Sequence, residues 1–230
     1  MTAWNNFCLQ FFSYEGYKEV LKGLLVTVEV AVAGLLIGIV LGTLIAITRV
    51  VPKYKVLPRV LNRISDVYVG FFRGTPMVVQ LLVGYFVLMP ALGLHLDNVI
   101  VSIFVFGMNS GAYISEIMRA GIESVDRGQL EASRALGMTY SSAMMKVVIP
   151  QAIKNILPTL GNEFIVLIKE TSILSFIAVV DLTKAFRAIG DANYEYIIPY
   201  LALAIVYLVL VIIITYCVKL LERRLKKSER

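Results

Sequence analysis

Residues 197–218 read IIPYLALAIVYLVLVIIITYCV, 22 consecutive positions without a charged side chain. An α-helix rises about 1.5 Å per residue, so a run of this length spans the ~30 Å hydrocarbon core of a bilayer. Four further apolar stretches precede it, at 23–48, 64–92, 99–118 and 156–180, the last with internal charges. Each reaches the length a crossing needs. The runs are continuous instead of alternating in short strips, which selects helices over a β-barrel. Composition agrees. With 58% hydrophobic and 17% charged residues and a mean hydropathy of +0.79 over 230 residues, there is too little charge to coat a water-facing surface. A soluble enzyme, a disordered regulator and a disulfide-stapled secreted module are excluded. The expected fold class is all-α and polytopic, with five transmembrane helices.

Orientation follows from the basic residues. The loop after the first stretch holds Arg49, Lys53, Lys55, Arg59 and Arg63, and the loop after the third holds Arg119, Arg127, Arg134, Lys146 and Lys154. The tail adds Lys219, Arg223, Arg224, Lys226, Lys227 and Arg230, against only Lys18, Lys22, Lys184 and Arg187 on the other side. Sixteen against four places the N-terminus outside and the C-terminus in the cytoplasm, as an odd number of crossings requires. The net charge of +6 is thus explained by topology, with no nucleic-acid partner. The implied organisation is an external segment at 1–22, a transmembrane domain at 23–222 with a cytoplasmic loop at 121–150, and a basic tail at 223–230. The first 22 residues lack the basic start and short apolar core of a signal peptide. Trp4, Phe7, Phe11 and Tyr14 fall at helical spacing, the pattern of an interfacial helix on the outer leaflet.

Polar groups inside the apolar stretches need a partner or a purpose. In Phe72-Arg73-Gly74-Thr75-Pro76, Pro76 removes a helix donor and pushes Thr75 away from α geometry. Two readings fit: a kink with Arg73 snorkelling to the cytoplasmic side, or a broken helix lining a polar cavity. Asn109, Tyr113 and Glu116 share one helical face, although Glu116 beside Arg119 also suits the water boundary. Glu163 and Glu170 form one stripe of the fourth stretch, and Asn162 and Lys169 a second beside it. These stripes fit either ion pairing and a subunit contact or a solvated cavity at mid-membrane. Glu29 is a lone carboxylate in the first stretch. No nucleophile–His–acid set, metal-ligand spacing or Gly-Lys-Ser/Thr phosphate loop occurs, so the chain is expected to hold no cofactor and to do no covalent chemistry. The lone His95 falls in a short outer loop, and Cys8 and Cys217 lie near opposite ends.

The cytoplasmic loop is too long to be a turn. Positions 129–136 suit a short helix, Gly137 its stop, and Ser141 or Ser142 the cap of a second helix. Such a helix, with exposed Ala and Leu, suits either the grip of a partner protein or the lipid interface. Glu131-Ala132-Ser133, three residues, Gly137, nine residues, then Val147-Val148-Ile149-Pro150 resembles the EAA motif of ABC importer permeases. Four other segments are similar to the polar amino-acid branch, the histidine/glutamine/arginine/opine permeases. They are the 72–76 segment, Gly111-Ala112-Tyr113-Ile114-Ser115-Glu116, Pro150-Gln151-Ala152, and Gly161-Asn162-Glu163 with Lys169-Glu170-Thr171-Ser172. That branch more usually has Asp where Glu170 stands. The likeness covers roughly residues 17–222.

The resemblance implies a type I ABC importer permease fold working as a homodimer or heterodimer with a second permease copy or a paralogue. Two cytoplasmic ATPase subunits, which carry the ATP and Mg, would grip Glu131, Ala132, Ser133, Ala135, Leu136 and Gly137. An external binding protein would deliver the amino acid. An amino acid's ammonium needs acceptors and its carboxylate needs a cation or hydroxyl donors. The candidate substrate residues are accordingly Glu163, Lys169, Glu170, Thr171 and Ser172, with Tyr113, Glu116, Arg73 and Thr75 facing them. The excess of carboxylates leans towards a cationic substrate. A secondary transporter or channel working alone is the competing class, and it would need no ATPase dock.

Overall fold

The computed structural model describes residues 2–50 and 56–227, with side chains to residue 224. Lys53, Lys55 and Arg230, with the side chains of Lys226 and Lys227, lie outside the described residues. All the described regular structure is helical. The chain enters through α1 (Ala3–Cys8) and a π turn, then the long α2 (Gly16–Val50). Next come α3 (Val56–Gly74) and α4 (Met77–Val83), which continues through a π turn into α5 (Met89–Ala91). They are followed by α6 (Asn98–Glu123), α7 (Arg127–Ala135), α8 (Tyr140–Ala143) and α9 (Ile149–Glu170). A 3-10 segment (Thr171–Ile177), α10 (Leu182–Asp191) and α11 (Ile197–Lys227) complete the fold.

Small residues set the spine. Gly34, Gly38 and Gly42 recur every four positions on α2, against Phe106, Ser110 and Ile114 of α6. A Cβ at Gly38 would stand 2.7 Å from the Ser110 side chain, so only hydrogen allows the two backbones this approach. Above and beside this seam, Val30, Ala31, Leu81, Val101, Phe106, Leu167, Ile168 and Leu174 form the largest core. Of the N-terminal aromatics, Trp4 and Phe7 lie in α1 and Phe11 in the π turn, as the spacing implied, while Tyr14 stands just beyond it in a turn. Phe7 and Phe11 stack at 5.4 Å and pack on Val20, Leu182, Phe186 and Ile189. Trp4 and Tyr14 stay exposed.

Two expected crossings differ from their apolar stretches. The second is no single rod: α3 and the helical run Met77–Ala91 meet at 106°. The fourth helix begins at Ile149, contains Pro158, and stops at Glu170. Beyond it the Thr171 hydroxyl caps the Ile168 carbonyl (2.7 Å) and the backbone tightens to 3-10 geometry. Among the described residues, three helices (α2, α6 and α11) are long and apolar enough to cross a membrane, or four if the bent pair is one crossing.

Candidate functional site

Between the break at Thr75-Pro76, α6, α9 and the 3-10 segment lies a cavity of about 500 Å³. Thr75, Pro76, Met77 and Val78 form one wall and Asn109 and Tyr113 of α6 another. Glu163, Val166, Leu167 and Glu170 of α9 close it, with Ile173. The chain is led there by local chemistry. Pro76 ends α3 geometry and starts α4 with an extended backbone (φ −64°, ψ 139°), which turns the helix aside and exposes its first turn to the interior. Glu163 is 8% exposed, and its Oε1 accepts from the Ser110 hydroxyl at 3.2 Å. Ser110 also sits under Gly38, so the tight α2–α6 seam fixes the group that orients Glu163. Glu170 stands two turns further along the same helix, half-buried at the cavity edge. Among the described residues, no Lys or Arg lines this space.

Four of the nine candidate substrate residues meet here: Thr75, Tyr113, Glu163 and Glu170. The other five do not. Lys169 is exposed on the next stripe of α9, with Asn162, Thr159 and Asn155 below it on the same outward face. Thr171 is fully buried and reaches the Tyr207 hydroxyl (3.5 Å), and Ser172 follows it into the 3-10 segment, off the cavity wall. Arg73 and Glu116 face each other below the cavity. The Arg73 guanidinium lies 5.4 Å from the Tyr113 ring centroid and 3.8 Å from the Glu116 carboxylate. Glu116 also pairs with Arg49 and with Arg119 (2.8 Å), while Arg49 reaches Asp66 (3.2 Å) and Arg119 reaches Glu123 (2.7 Å). Three helices thus converge on one carboxylate with 18% side-chain exposure. Two lining or supporting amides were absent from the candidate set. Asn109 shares the Tyr113 face, and Gln80 sits inside the apolar run Val78-Val79-Gln80-Leu81-Leu82, four residues past Pro76. A buried amide at that spacing from a proline was the signal.

The loop between α6 and α9 folds as two helices on a core of Val125, Met144, Val148, Ala152 and Ile156. Asp126 caps α7 through the Gly128 N–H (2.8 Å). Gly137 has φ +86°, its N–H donates to Arg134 O (3.0 Å) and Met138 N–H to Ser133 O (3.2 Å), which is the Schellman stop. The second helix is capped by Thr139, whose hydroxyl accepts from the Ser142 N–H (3.3 Å), and not by Ser141 or Ser142. Glu131, Ala132, Ala135 and Leu136 are exposed, Leu136 at 86%. Ser133 turns inward, its hydroxyl donating to Gln129 O at 2.6 Å.

Comparison with known proteins places these features. The family described as binding-protein-dependent transport system inner membrane component matches residues 29–227. The arginine transport system permease protein ArtQ of Bacillus subtilis is 38% identical over 91% of this chain and 94% of its own. The putative glutamine transport system permease protein GlnP of Rickettsia bellii is 37% identical over 90% of this chain and 92% of its own. A crystal structure of an amino acid ABC transporter with histidines superposes with a TM-score of 0.85 at 38% identity, covering 94% of this chain and 97% of that one. The chain therefore belongs to the binding-protein-dependent transport system inner membrane components.

Proposed function

We propose that this chain is the transmembrane permease subunit of an ATP-driven importer for a polar amino acid, with a cationic side chain as the favoured cargo. The observation that carries the cargo class is the cavity lining, where Glu163 and Glu170 stand without a facing Lys or Arg among the described residues. An ammonium or guanidinium entering it gains charge-assisted acceptors. The relative named for arginine transport supports this reading. ATP and Mg belong to two partner ATPase subunits, which take the exposed face of α7 carrying Glu131, Ala132, Ala135 and Leu136. An external binding protein delivers the amino acid. The polar stripe of Asn155, Thr159, Asn162 and Lys169, exposed on α9, supports a second permease copy or a paralogue facing it across a wet path. Five crossings, formed by α2, the bent α3–α4 pair, α6, α9 and α11, put the N-terminus outside and the C-terminus in the cytoplasm.

Proteoliposomes holding the full complex test it. Arginine uptake should require internal ATP and ignore imposed proton or sodium gradients. Gradient-driven uptake by this chain alone would overturn the reading. A C-terminal reporter should be cytoplasmic and a tag before Trp4 external, and impermeant labelling of both ends from one side would remove the five-crossing topology.

A further inference from the structure

Pro76 has no N–H, so the carbonyl of Phe72, four residues earlier, loses its helical donor. Two side-chain amides come to it. Gln80 Nε2 donates to Phe72 O (2.8 Å), Thr75 O (3.0 Å) and Thr75 Oγ1 (2.8 Å). Asn109 Nδ2 donates to Gln80 Oε1 (2.9 Å) and to Phe72 O (3.4 Å). Both residues are buried, at 7% and 6% exposure. The facing backbone carbonyls only accept, which fixes the nitrogen end of each amide. Thr75 Oγ1 in turn donates to Phe71 O (2.8 Å).

An amide presents either donors or acceptors, and a hydroxyl presents both. Here the two amide hydrogens of Asn109 and the hydroxyl hydrogen of Thr75 are all committed inside the wall. What Thr75 and Asn109 still offer to the cavity is a hydroxyl lone pair and a carbonyl oxygen. Both accept. Together with Glu163 and Glu170 they favour a group built only of donors, such as an ammonium with three or a guanidinium with five.

We propose that Gln80 and Asn109 are specificity-determining positioning residues: by holding the broken helix through its freed carbonyls, they leave Thr75 and Asn109 presenting only acceptors beside the two carboxylates and so select a cationic side chain over a neutral one of the same shape. Gln80 acts through Thr75 and Asn109, which line the cavity. The inference rests on the cavity being the transport site.

The test compares arginine with citrulline, which has the same length but carries a neutral urea with an acceptor oxygen in place of the guanidinium. Equilibrium binding of each to the purified permease–ATPase complex in nanodiscs gives a preference ratio. Wild type should prefer arginine, and Gln80→Met and Asn109→Leu should each lower the ratio at least fivefold, with the double variant no worse than either alone. Simple loosening of the helix would weaken both ligands alike and leave the ratio unchanged, which would overturn the proposal. A wild-type complex without preference would instead overturn the reading of the cavity as a cation site. Should either variant fail to assemble, Thr75→Val removes one acceptor with no change of volume and leaves Gln80 its backbone carbonyls. An unchanged ratio there would equally overturn the proposal.

Discussion

Replacing Glu163 with Gln isolates the charge at the centre of the cavity. The side chain is 8% exposed and its Oε1 accepts the Ser110 hydroxyl at 3.2 Å. Glutamine keeps that acceptor and nearly the same volume, so the contact between α6 and α9 survives while the negative charge goes. A hydrogen bond to a charged, desolvated group contributes roughly 1.5–3 kcal/mol, which is about 10–150-fold in affinity. Glu170 sits at the half-exposed rim, where water screens it, and Glu170→Gln should cost less, about 1 kcal/mol or roughly fivefold. The assay is ATP-driven uptake of labelled arginine into proteoliposomes at sub-saturating concentration, with ATP hydrolysis and subunit co-purification followed in parallel. The half-saturation concentration should rise for arginine and stay put for a neutral amino acid. If both variants transported arginine like wild type, the cavity would not be the place where the cation is bound.

Other variants probe the loop and the spine. Gly137 holds φ +86°, so Gly137→Val should misdirect the loop after α7 at a cost above the ~1–2 kcal/mol of an ordinary left-handed residue, with normal membrane insertion but lost ATPase co-purification. Gly137→Asn, which tolerates that conformation, should restore it. Glu131→Ala should leave insertion and assembly intact and reduce substrate-stimulated hydrolysis, and unchanged ATP-driven uptake would take α7 out of the coupling. Gly38→Ala places a Cβ 2.7 Å from Ser110, so the α2–α6 seam must open, lowering stability by about 1–3 kcal/mol in a thermal melt in detergent. Gly70→Ala, with nothing within 4 Å, is the control and should melt like wild type.

The apolar stretches placed α2, α6 and α11 because a crossing is a matter of summed transfer energy over about twenty residues, which composition records directly. At Pro76 the sequence left a kink and a broken helix both open, and the 106° bend was not legible, since proline dictates the loss of a donor and not where the freed carbonyls find new partners. Those partners, Gln80 and Asn109, lie 8 and 37 positions from Phe72, and only the packed fold brings them together. Helical arithmetic gave the Glu163–Glu170 face of α9 correctly because the helix is regular up to Glu170. Thr171 and Ser172 were read from their hydroxyls within a turn of Glu170, not from a shared face, and neither meets the cavity: Thr171 is fully buried beside Tyr207, and Ser172 lies in the 3-10 segment off the wall. Lys169 shows the other limit. Periodicity says which residues share a stripe, never which stripe meets a neighbour.

The continuity of α6 gives the cavity a mechanical ratio. It is a single helix of 26 residues. Its Asn98 end is tethered, with Asn98 donating to Ile177 O (2.7 Å) and accepting from the Tyr85 hydroxyl (3.0 Å), and its Glu123 end runs within three residues into α7. A rod pivoting at Asn98 carries Asn109 about 16 Å and Glu123 roughly 37 Å from the fulcrum, at ~1.5 Å per residue. A tilt of ~10° then sweeps the α7 end through about 6 Å and Asn109 through only about 3 Å. A stroke on the scale of a helix radius at the α7 end would thereby be geared down to about the length of one hydrogen bond at Asn109, and the seam that holds neighbouring Ser110 against Gly38 would have to yield with it.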